Sequence, residues 1–187
     1  MFSPSPRSRS LVLAFALSLA GCDSSLVEPT AANIATQLGA PAVGQLLPFK
    51  GDLEGRHVSR TPLTPPFVSD VFKMTGTATQ LGRVELVIET VANFGAFPVT
   101  GVGTSTFTAA NGDKLVADNT GASALVRPGL VLITERNIID PDRSTGRFAG
   151  ATGTFTMKRL ADAATGVTGV TTGSFEGTIV LATPLKP

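Results

Sequence analysis

The chain has 187 residues, 15 Lys+Arg against 14 Asp+Glu, one Cys, one His, and neither Trp nor Tyr. That length suits one ordinary domain with a real core, and a formal net charge of +1 supplies no basic field for nucleic acid. One Cys excludes an intramolecular disulfide framework and a multi-Cys zinc site, and one His excludes any site that needs two imidazoles. The first element along the chain is an export signal. Arg7 and Arg9 form a positive n-region, and Leu11 to Ala20 form an uncharged, largely apolar h-region. That stretch is shorter than the roughly 20 residues a membrane-spanning helix requires, so residues 1–21 read as a signal peptide.

Leu19-Ala20-Gly21-Cys22 follows at once and resembles the bacterial lipobox, with the chain's single Cys at its end. The resemblance implies cleavage before Cys22, a diacylglyceryl thioether on its sulfur and fatty acylation such as palmitate. Two chains meet the condition for stable anchoring, at about 0.8 kcal/mol per buried methylene. The expected location is the bacterial cell envelope, facing away from the cytoplasm. Asp23 leaves inner and outer membrane both open. Without residues 1–21 the chain carries 13 Lys+Arg against 14 Asp+Glu, so attachment would come from lipid and not from a polybasic patch. Residues 22–45 then read as the lipidated N-terminus and a flexible tether, rich in Ala, Ser and Pro, with a reach of roughly 25–30 Å. One helical turn over 31–38, or packing of this segment on the domain, are the alternatives.

Residues 46–187 read as one all-β domain. Thr recurs in alternating runs, which suits a pleated, half-exposed surface. Strands are expected over 47–56, 71–79, 83–89, 103–110, 113–117, 130–139, 148–159 and 174–181. Asn111-Gly112 marks a hairpin, and Asp140-Pro141 stops the sixth strand. Eight short-spaced antiparallel strands predict a closed eight-stranded barrel, with a β-sandwich as the alternative. Glycines inside strands, among them Gly51, Gly76, Gly103, Gly153 and Gly177, mark expected bends. The lack of Tyr and Trp argues against the aromatic girdles of an outer-membrane barrel.

Gly146-Arg147-Phe148-Ala149-Gly150-Ala151-Thr152-Gly153 and Gly173-Ser174-Phe175-Glu176-Gly177-Thr178, with upstream Gly76 to Arg83 and Phe107 to Asp113, resemble a group of uncharacterised exported bacterial proteins. The Gly-x-Phe-x-Gly-Ala-x-Gly core is also similar to a strand motif of allene oxide cyclase and dirigent proteins. That resemblance implies an eight-stranded antiparallel barrel with an apolar cavity. It transfers no catalytic residue to this chain.

Few residues suggest chemistry. Glu85 and Glu89 share a strand face but stand about 13 Å apart along it, too far for a carboxylate pair, and read as a solvated face beside Arg83. Glu135 and Arg136 are adjacent and point to opposite faces, so one should point into the barrel and need a partner. They are the candidate ligand-binding residues, with a structural ion pair near the rim as the plainer reading. His57 is expected in an exposed loop without a nearby acid. Asp140 to Ala151 fails as an EF-hand, because Gly146 is one position late and Ala151 replaces the bidentate Glu. No Gly-x-Ser-x-Gly elbow, dinucleotide loop or phosphate loop occurs. No catalytic residue, metal or cofactor is assigned. Most of the Phe residues are expected in the core.

The function expected from these features is a membrane-anchored binding or structural module of the cell envelope. It would meet the membrane through Cys22 and take an apolar small molecule or an envelope protein as partner. The alternative is a cyclase or isomerase-like enzyme acting on an apolar small molecule in the barrel. An open cavity with converging polar groups would separate a binding or catalytic barrel from a filled one.

Overall fold

The computed structural model describes residues 44–164 and 169–182. The signal peptide, Cys22 and most of the expected tether lie outside the described residues. Eight strands follow one another: β1 (Leu46–Pro62), β2 (Phe67–Ala78), β3 (Gly82–Asn93), β4 (Thr100–Ala109), β5 (Lys114–Arg127), β6 (Leu130–Ile139), β7 (Thr152–Asp162) and β8 (Val170–Val180). Each pairs antiparallel with the next, and β8 returns to β1, closing a barrel with strand order β1 to β8. The barrel expectation holds and the sandwich alternative falls. Closure leaves no unpaired strand edge, which a Thr- and Gly-rich sheet would otherwise expose.

Alternation along each strand sorts the residues. Leu47, Phe49 and Leu53 of β1, Val84, Leu86 and Ile88 of β3, and Phe155 and Met157 of β7 point inward and are buried. Glu85, Glu89 and Arg83 face outward and are exposed, as their phase predicts. The hairpin at Asn111-Gly112 forms between β4 and β5, with Gly112 at φ 88° and its N–H donating to the Ala109 carbonyl at 2.9 Å. Some strands run longer than their patterns suggest. β1 continues past Arg56 to Pro62, and β2 starts at Phe67.

Gly55 shows why a small residue is needed inside a strand. A Cβ there would sit 2.1 Å from the Lys73 carbonyl oxygen of β2, so the two backbones approach as only glycine permits. Gly55→Ala should therefore lower stability by about 1–3 kcal/mol through forced backbone displacement, measured by urea unfolding. An unchanged midpoint would contradict the close approach.

The end of the barrel where β1 begins is filled. Phe49, Phe107, Phe155 and Phe175 meet there edge-on or tilted, with ring centroids 4.8–5.9 Å apart. The connection from β6 to β7 caps this end. The seventh strand, expected from Phe148, begins only at Thr152, because Gly146–Phe148 forms a 3-10 turn. Gly146 adopts φ 60°, a left-handed conformation that breaks an extended run. The turn leaves Phe148 fully buried in the hydrophobic core.

Asp140, which opens the segment that fails as an EF-hand, braces this cap. Its carboxylate accepts the Arg143 Nε–H and the backbone N–H groups of Arg143 and Asp142. The Arg143 side chain, then its backbone N–H, hold the Asp140 carboxyl below its ordinary value of 3.8. A carboxyl lowered in the folded state stabilises above its unfolded pKa and loses that contribution as pH falls through the folded value. Hydrogen exchange at Asp142 and Arg143 should thus accelerate below about pH 4, beyond the intrinsic pH effect. Asp140→Asn should abolish that acid-dependent step; the same step in the variant would assign it elsewhere.

Candidate polar cavity at the open end

The opposite end is organised differently. A β-bulge interrupts the β1–β2 register between His57 and Ser59, so Val58 is the extra residue. A bulge shifts strand phase by one and re-aims the side chains after it. His57 keeps the inward phase of Phe49 and Leu53, while Arg60, which an unbroken strand would turn outward, comes opposite Asp70. The inserted residue thus brings two basic side chains to one carboxylate. The expectation of an exposed loop His is corrected here: His57 lies within β1, is buried, and has an acid partner.

The Asp70 carboxylate is nearly saturated. Arg60 donates through Nε to Oδ1 and through Nη2 to Oδ2, both at 2.8 Å, and His57 Nε2 lies 3.0 Å from Oδ1. The hydrogen bond from Arg60 to Asp70 pushes the guanidinium pKa further up, so this cation stays charged at any working pH. With Asp70 accepting from Nε2–H, a neutral His57 keeps Nδ1 as the basic nitrogen. The imidazole also stacks on Phe72, at 4.6 Å between centroids and 23° between planes.

The second buried group joins β6 to β7. Glu135 points inward and Arg136 outward, where it is exposed on the barrel wall. The adjacent pair is therefore split, and Glu135 takes its partner from another strand. Arg159 of β7 donates through Nε to Oε2 at 3.0 Å and through Nη2 to Oε1 at 2.9 Å. This fork-on-fork geometry is the strong form of an Arg–carboxylate pair. Both side chains are about 2% exposed, so the pair is deep in the barrel and not at its rim. A glycine makes room beside each. A Cβ at Gly121 would lie 2.7 Å from Glu135 Cγ, and one at Gly173 would lie 2.6 Å from Arg159 Cβ. The Arg159 guanidinium carbon stands 4.0 Å from the centroid of Phe72, so one aromatic ring touches both polar groups.

Above these groups lies a cavity of about 210 Å³. His57, Arg60, Asp70, Thr90, Asn119, Glu135, Arg159 and Asp162 are among its polar lining, and Phe72, Ala92, Val99, Val131, Ile133 and Ala161 are among its apolar residues. Phe94 and Phe97 also line it and are exposed. With Phe67, they are the three domain Phe residues outside the core, all at this end, while the six others are buried. Arg60 stands over Phe94 at 5.2 Å. Sequence reasoning named Glu135 as a candidate but missed Asp70 and Arg159. Both lie in phase with apolar inward residues, Asp70 with Phe72 and Met74, Arg159 with Phe155 and Met157.

No cluster of three or more metal-ligating side chains occurs among the described residues. The chain matches no protein-family model, no curated protein and no solved structure.

Proposed function

We propose that this protein is a lipid-anchored binding module of the bacterial cell envelope that holds a small, largely apolar molecule in the open end of its barrel. The observation that carries the ligand half is the cavity: apolar walls over the buried Glu135–Arg159 pair and the buried Asp70 carboxylate, with the other end packed by phenylalanines. Ligand sites have this mixture of apolar surface and few placed polar groups. The lipobox resemblance at Leu19 to Cys22 supports the anchor.

Chain direction is consistent with both halves. β1 enters at the filled end, at Leu46, and the cavity lies toward its far end. A tether on Cys22 would thus attach at the sealed end and leave the mouth unobstructed. The test is native mass spectrometry of the chain isolated from its own host, before and after organic extraction. An extractable mass that disappears with the solvent is the expected result. A clean apo mass in both states would overturn tight ligand carriage.

The His57–Asp70 pair beside the cavity favours one second reading, a cyclase or isomerase-like enzyme. An oriented imidazole can move a proton on a confined substrate without further machinery. Under that reading, the extracted molecule changes to an isomer of equal mass when incubated with the chain. His57→Gln would stop the conversion while binding persists. Binding without conversion leaves the module reading in place.

A further inference from the structure

We infer that the cavity selects a neutral molecule carrying a hydroxyl group, in preference to an acid, an amine or a pure hydrocarbon. This rests on the binding reading above and adds the chemistry of the occupant.

Three cavity-lining side chains each carry a buried polar atom without a hydrogen-bond partner: Thr90 Oγ1, Asn119 Oδ1 and Arg159 Nη1. Buried polar groups are nearly always satisfied, and exceptions of this kind ask for an occupant. Thr90 and Asn119 are held in one cross-strand row, each registered to Gly103 of the intervening β4. Gly103 puts no side chain between them. Asn119 is fixed from below, where its Nδ2 donates to Ser105 Oγ at 3.0 Å. Arg159 comes from β7, four strands from β3 in either direction around the closed barrel, and so its strand stands opposite that of Thr90 across the interior.

The unmet valences are of both kinds. Arg159 Nη1 can only donate, the Asn119 Oδ1 carbonyl oxygen can only accept, and Thr90 Oγ1 can do either. A hydroxyl group, donor and acceptor on one atom, answers such a set where a ketone or a hydrocarbon does not. Charge excludes the ionic alternatives. Arg60 is matched by Asp70 and Arg159 by Glu135, so no unpaired guanidinium waits for a carboxylate. The remaining lining carboxylate, Asp162, is half-buried and already accepts the Ala164 N–H. A cavity of about 210 Å³ holds on the order of seven non-hydrogen atoms, at about 30 Å³ per water-sized group.

Four probes of one shape test this: cyclohexanol, methylcyclohexane, cyclohexanecarboxylate and cyclohexylammonium. Each is titrated at pH 7 into the full chain carrying Cys22→Ser, with backbone amide shifts of Thr90, Asn119, Glu135 and Arg159 read by NMR. Cyclohexanol should bind roughly fivefold or more tighter than methylcyclohexane, and tighter than either ion. Thr90→Val, which removes an unpartnered hydroxyl at constant shape, should cut that preference about threefold without lowering the melting temperature. Equal binding of the alcohol and the hydrocarbon, or tighter binding of an ion, would overturn the inference and leave the binding reading standing. Silence at these amides with all four probes would overturn both.

Discussion

Replacing Arg159 by Met lowers the unfolding free energy by about 3–5 kcal/mol, because it strands the Glu135 carboxylate in the barrel interior. The two side chains are about 2% exposed and share two charge-assisted hydrogen bonds. Breaking such a pair costs far more than the pair contributes net, since the surviving charge loses its partner without regaining water. The double variant Glu135→Leu, Arg159→Met should therefore recover most of the loss. It leaves an apolar interior with no orphaned charge, and well-packed apolar replacements of buried ion pairs are often neutral. Urea unfolding of the parent, the single and the double variants measures all three. A single variant within about 0.5 kcal/mol of the parent would place the pair in contact with solvent. Recovery of stability in the double variant would also free the pair for a functional assignment, since stability alone would not require it.

Under the proposed lipid anchor, Cys22→Ser should shift the chain from the membrane pellet to the soluble fraction of its own host. The effect should be close to complete, because no helix among the described residues is long and apolar enough to cross a membrane. The sequence after residue 21 is near charge balance, so it lacks the polybasic signal that would supplement a lost acyl chain. Fractionation with labelled palmitate reads both parts: label on the parent and none on the variant. A variant that still sediments with membranes at high salt would remove the anchor from the account.

The fold was largely legible because period-2 alternation and turn residues act locally, and antiparallel neighbours need only short connections. Val84, Leu86 and Ile88 declare one face, and Asn111-Gly112 declares the hairpin. The polar cavity was harder, for a physical reason. Its members meet through register, and register across strands is set by bulges and turns that the alternation does not reveal. His57 and Arg60 stand three apart in sequence and would face opposite ways in a regular strand. The bulge at Val58 turns both inward toward Asp70. Arg159 was more accessible, since its phase with Phe155 and Met157 already places a cation on the core face. What the sequence did not contain was its partner, because Glu135 is 24 residues away and reaches it only once β6 lies beside β7. The three exposed Phe residues are likewise indistinguishable from core in composition. Their position at the mouth appears only when the barrel closes.

The most direct test of the central claim is a crystal structure of the chain isolated from its own host without organic extraction. Electron density for a small molecule between Phe72, Val131 and Ile133, seated over Glu135 and Arg159, is the result the account predicts. A cavity filled by its own side chains, with Phe94 and Phe97 folded onto Arg159, would contradict it.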